Sequence, residues 1–139
     1  MDKRKIFVLL WLAAILIPIN WIEQIVETMR QGFHVANQSE LAHIVVHLIM
    51  FGGAVFLLLH IFKLPLTRRT AVLLAGLLLA LALGQELLQL QVKQRAYGWP
   101  ETFDLLVDLA GAILGWMAYR YYLRYGRFLR IAYYLLQDA

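Results

Sequence analysis

Long apolar runs alternate with short polar connections along this chain, each about as long as a membrane-crossing helix requires, roughly 20 residues. The first run covers about residues 6–25 and carries Trp11 and Trp21. It exceeds an ordinary secretory signal core and lacks a clear small-x-small cleavage site, so it predicts a first transmembrane helix. Pro18 removes an internal hydrogen bond and predicts a kink or the helix's last turns. A polar loop follows over residues 26–40, broken at Gly32 and Asn37, with Ser39 placed to cap the next helix. The second run, residues 41–62, has Gly52 and Gly53 at its middle. Pro65 then stops it within a short basic connection over residues 63–69. The third run, residues 70–89, repeats Gly76, Ala80 and Gly84 every four residues. The fourth, residues 103–122, places Gly111 and Gly115 in the same way. Such stripes let helix backbones approach closely.

Composition reinforces this reading. The chain has 139 residues, of which 62% are hydrophobic and 16% charged, with net charge +4. A soluble domain is closer to half apolar and a quarter charged, so a bilayer is the natural solvent. The expected fold is all-α: a polytopic, four-transmembrane-helix bundle forming one domain over residues 1–139. There is no cysteine, which excludes disulfides, thiolate catalysis and Cys-ligated metals.

Lys and Arg are unevenly distributed. Lys3, Arg4 and Lys5 precede the first run; Lys63, Arg68 and Arg69 lie between the second and third; Arg120 stands in the last turn of the fourth, and Arg124, Arg127 and Arg130 follow it. The first loop has only Arg30, and the third loop Lys93 and Arg95. The positive-inside rule therefore puts both termini in the cytoplasm. It also accounts for the basic balance without nucleic-acid binding. The remainder, residues 123–139, combines arginines with Tyr125, Tyr133 and Tyr134. It suits an amphipathic helix on an anionic lipid surface, or equally an ordinary stop-transfer flank.

The segment from residue 86 to 115 carries Glu86, Lys93, Arg95, Glu101, Asp104 and Asp108 at or just inside the ends of two apolar runs. Glu86 and Gln89 are three apart, and Asp104 and Asp108 four apart, so each pair shares a helix face. Gly111 and Gly115 continue the face of Asp104 and Asp108, which aims these carboxylates at a packing seam. Arg95, in the connecting loop, could fork onto a carboxylate. Ionisable groups at the edge of an apolar span are costly to desolvate and usually face a partner or water. With His47 they make a candidate polar site: His47, Glu86, Gln89, Arg95, Asp104 and Asp108. The bland alternative is a structural Arg–carboxylate cluster closing one end of the helices.

His43 and His47 stand one turn apart on the second span. Such a pair can bind a metal beside a carboxylate, or ligate a macrocycle such as haem or chlorophyll. It can also simply hydrogen-bond to Glu86 or Asp104. His60 falls near the opposite end and His34 in the first loop. No Ser-His-Asp spacing, phosphate loop or dinucleotide fingerprint is present. No catalytic residue is assigned and no cofactor is required. A carboxylate–His–Arg cluster is nonetheless competent for acid–base chemistry on a phosphate or sugar.

The order of these residues resembles the VanZ-like family of small bacterial membrane proteins. That family starts one span with Asp-Lys-x-x-His, followed four residues on by an aromatic. It continues with Glu-x-x-Gln, then Arg, then Asp-x-x-x-Asn-x-x-Gly-x-x-x-Gly. Here His47 and Phe51 match the first part, and Glu86, Gln89, Arg95, Asp104, Gly111 and Gly115 the second. The family's Asp is His43, its Lys is Ile44 and its Asn is Asp108. The resemblance covers roughly residues 5–123. It implies the bacterial inner membrane and a role at the cell envelope; the name-giving member confers low-level resistance to the glycopeptide teicoplanin. Two functions follow as expectations. One is an outward-facing site that binds or modifies an envelope or lipid-linked molecule. The other is an accessory subunit of a respiratory or photosynthetic membrane complex, its histidines holding a metal or pigment.

Overall fold

A computed structural model of the protein describes residues 2–17, 40–94 and 96–137. Among these residues every regular element is a helix: α1 (Lys3–Ile15), α2 (Glu40–Ile61), α3 (Arg68–Lys93) and α4 (Trp99–Gln137). The last three are long and apolar enough to cross a membrane. As described, α1 has 13 residues. The expected continuation of that span through Pro18 and Trp21, and the polar loop carrying Arg30 and His34, lie outside the described residues.

Local chemistry sets the helix ends. The Asp2 carboxylate accepts from the Arg4 backbone N–H and opens α1. After α2 the chain turns at Lys63, whose φ of 51° lies in the left-handed region. Thr67 caps α3 through its hydroxyl, which accepts from the Thr70 N–H at 3.2 Å. Gln94, with φ 49°, closes α3 in the left-handed conformation. Glu101 then reaches back to the Gly98 N–H at 2.9 Å, the carboxylate half of a capping box. Pro100 in the first turn of α4 lacks only an N–H that would be unpaired there anyway. The connection between α3 and α4 is therefore only residues 94–98, shorter than the gap between the third apolar run, ending at residue 89, and the fourth, beginning at residue 103.

α4 also differs from expectation at its other end. Instead of breaking near residue 122, it continues as one helix of 39 residues. That is about 58 Å at 1.5 Å per residue. A hydrocarbon core is only about 30 Å thick, so the helix outlasts any crossing it makes.

α2 packs most extensively on α4. The two run parallel, since Leu48 faces Gly111 and Gly52 faces Gly111 and Gly115. A Cβ on Gly52 would come within 2.9 Å of the Gly111 carbonyl oxygen, and one on Gly111 within 2.9 Å of the Leu48 carbonyl oxygen. A Cβ on Gly115 would overlap the Gly52 carbonyl. α1 lies antiparallel against the other side of α2. Its Trp11 ring occupies the space a Gly53 Cβ would need, and Trp11 Nε1–H donates to the Met50 carbonyl at 3.0 Å. Lys5 lies 5.8 Å from the Phe62 ring centroid, so the basic start of α1 sits beside the C-terminal end of α2. α3 touches α1 where Leu16 meets Gly84.

The shared core comprises Val8, Ile15, Phe51, Val55, Leu59, Leu78 and their neighbours. Large apolar side chains also cover the outside: Leu10, Leu41, Val72 and Leu73 are each more than 60% exposed. An apolar surface this extensive would drive association in water and fits a lipid bilayer.

Candidate functional site

The beginning of α2, the end of α3 and the beginning of α4 meet at one end of the packed helices. There α2 and α4 form a two-step ladder. His43 Nε2 lies 3.0 Å from Asp104 Oδ1, and His47 Nδ1–H donates to Asp108 Oδ1 at 2.7 Å. Both pairs are separated by 61 residues, the signature of two parallel helices meeting in constant register. Close glycine packing just below makes the reach possible.

The two rungs differ in setting. His43 and Asp104 have side chains 40% and 14% exposed, whereas His47 and Asp108 are 5% and 4% exposed. The ring centroids of His43 and His47 are 4.4 Å apart, and the His47 ring stacks nearly parallel to Phe51. Each of His43, His47 and Asp104 offers a donor atom within 4.8 Å of the other two.

α3 contributes Gln85, Glu86 and Gln89, all buried. Glu86 is within electrostatic reach of Asp104, His47, Asp108 and Glu101. Oxygens Gln85 Oε1, Glu86 Oε1 and Asp108 Oδ2 are buried and accept no hydrogen bond among the described residues. A buried acceptor without a donor costs on the order of 1–3 kcal/mol, so this end of the protein carries unmet binding capacity.

An apolar groove of about 620 Å³ opens between α3 and α4. Phe51, Leu74, Leu78, Ala82, Leu105 and Trp116 are among the side chains lining it. Thr102 and Asp108 give it polarity at the ladder end. Asp108 thus belongs to both features.

Of the residues expected at the site, His47, Glu86, Gln89, Asp104 and Asp108 gather at this end. Arg95 lies outside the described residues. His60 is at the other end of α2, where it packs on Tyr122 with centroids 5.3 Å apart. Among the expected packing glycines, Gly84, Gly111 and Gly115 meet other helices. Gly76 does not, since a Cβ there would find nothing within 4 Å.

Sequence reasoning missed three features. Gln85 was passed over because it neighbours the more conspicuous Glu86. The groove has no signature beyond alanines spaced among leucines. The partnership of His47 with Asp108 was also missed. Its signal was available in the matched four-residue spacing of two histidines on one span and two aspartates on another.

No curated protein matches the chain, and no solved structure does. The model of the VanZ/LLP1 family does match, over residues 3–125. That range takes in the first three helices, α4 as far as Tyr125, and both rungs of the ladder. On the strength of that match, the chain is a member of the VanZ/LLP1 family.

Proposed function

We propose that this membrane protein binds a cell-envelope lipid or lipid-linked molecule. The hydrocarbon chain lies in the groove between α3 and α4, and the polar part meets the ladder and Glu86. The observation that carries this reading is the double position of Asp108, which lines the groove and hydrogen-bonds to His47. Ligand sites are typically about 300–1,000 Å³, mostly apolar with a few convergent polar groups, and this groove fits that description.

The ladder faces the outer side of the cytoplasmic membrane in this account, and both termini face the cytoplasm. The clustering of Lys and Arg supports that orientation, as does the contact of Lys5 with Phe62, which brings two basic flanks together. Residues in contact with the molecule are Asp108, His47, Glu86 and Asp104, with Gln89 beside them. Acid–base chemistry on a bound phosphate or sugar is within the competence of these groups.

Lipid analysis of the purified protein tests the proposal. Wild type should retain a defined lipid after extensive detergent exchange, identified by mass spectrometry. Ala75→Trp, which fills the groove from an exposed position of α3, should lose it while remaining folded. An Ala75→Trp protein with the same lipid as wild type contradicts the reading. So does a chain isolated only within a larger assembly and without lipid, the outcome an accessory subunit predicts.

A further inference from the structure

We propose that His43, His47 and Asp104 form a binding site for a divalent first-row transition-metal ion, with zinc as the reference case. The inference rests on the ladder's geometry and does not depend on a lipid in the groove.

Three observations carry it. The first is distance. Around a tetrahedral ion with bonds of about 2.0–2.1 Å, neighbouring ligand atoms stand about 3.3 Å apart. His43 Nε2 and Asp104 Oδ1 are already 3.0 Å apart, and one ring nitrogen of His47 lies within 4.8 Å of a ligand atom on each of them. Small side-chain rotations close such a set.

The second is the role of Asp108. Metal-bound histidines almost always donate their other ring N–H to a carboxylate or carbonyl, which fixes the tautomer and ring direction. Asp108 does this for His47 at Nδ1, with both side chains at most 5% exposed. The other ring nitrogen, Nε2, is left with its lone pair for the ion. Asp108 is thus a positioning residue, one shell behind the metal.

The third is charge. Asp104, Asp108 and Glu86 lie in electrostatic reach of one another, and two of their buried oxygens accept no hydrogen bond among the described residues. An array of acceptors with two imidazoles is completed by a cation. Two nitrogens and one carboxylate suit zinc, manganese or ferrous iron. Three protein ligands leave a coordination position open, which is the arrangement that accepts an exchangeable water or anionic group.

The test uses full-length protein without a polyhistidine tag, stripped with chelator and dialysed against zinc. Atomic emission should find one equivalent per chain, and cobalt(II) in its place should give visible bands of tetrahedral intensity. His43→Ala and Asp104→Ala should each weaken zinc binding at least tenfold. Asp108→Asn, which preserves shape, should weaken it about 10–100-fold. His60→Ala should bind as wild type does. Since His47 variants risk misfolding, the cobalt spectrum of wild type stands as an independent arm. Wild type that binds no zinc overturns the proposal, as does binding unchanged by both His43→Ala and Asp104→Ala. Zinc lost with His60→Ala instead also overturns it, by marking the binding as adventitious. The lipid reading is unaffected by any of these outcomes, because its own test is lipid content.

Discussion

Gly52 and Gly115 cross so closely that a methyl group on Gly115 would overlap the Gly52 carbonyl. The ladder depends on this crossing. Only where the backbones of α2 and α4 nearly touch can a short aspartate reach a histidine on the neighbouring helix. Gly115→Leu should therefore destabilise the fold by roughly 1–3 kcal/mol or more, through overpacking at a backbone contact. Gly76→Leu should change it by less than about 0.5 kcal/mol, because its side chain enters open space. Unfolding of both variants in detergent micelles checks the contrast; equal losses would mean that the crossing is misplaced.

The two rungs should be energetically unequal. A double-mutant cycle of His47→Phe with Asp108→Leu isolates the buried pair, and coupling of about 1–3 kcal/mol is expected. The same cycle with His43→Phe and Asp104→Leu should give no more than about 1 kcal/mol, since His43 is partly open to solvent. Coupling larger at His43 would reverse the assignment of the buried rung.

Trp11 and Gly53 make a separate prediction. In Gly53→Ala the new methyl group would lie 2.9 Å from Trp11 Cζ2, while Trp11 is tethered by its bond to the Met50 carbonyl. The indole must move and the hydrogen bond weaken, at a cost of about 1 kcal/mol. Combining Gly53→Ala with Trp11→Phe should cost less than the sum of the two, as read from thermal unfolding. Additive losses would show that the ring and the glycine do not touch.

Helix class and the polar end were legible in the sequence because both follow from one-dimensional patterns. Twenty-residue apolar runs show where helices cross, and the charges flanking them show where polar groups gather. The pairing of His47 with Asp108 was harder to read. Four-residue spacing fixes which face a residue occupies but leaves open how far one helix slides along another. That register is set by Leu48, Gly52, Gly111 and Gly115, and depends on backbone contact. The length of α4 was misjudged for a different reason. The arginines from Arg120 onward mark the edge of an apolar run, yet Arg, Leu and Tyr continue a helix readily, so a change of solvent does not end it. The third loop is shorter than the gap between the apolar runs because Trp99 and Pro100 open a helix that Glu101 caps.

Orientation yields its own prediction. The chain has no native cysteine, so single cysteines report accessibility cleanly. In sealed cells, Gln94→Cys should react with a membrane-impermeant maleimide added outside, and Thr67→Cys should be protected. Labelling of both from the same side would refute the assigned topology.

The most direct measurement is cross-linking between α2 and α4 in native membranes. A protein carrying His43→Cys and Asp104→Cys should be joined rapidly by a short bis-maleimide, because those side chains meet across the ladder at 3.0 Å. Failure of that pair, together with efficient joining of His43→Cys to a cysteine at the exposed Leu109, would contradict the register on which the site is built.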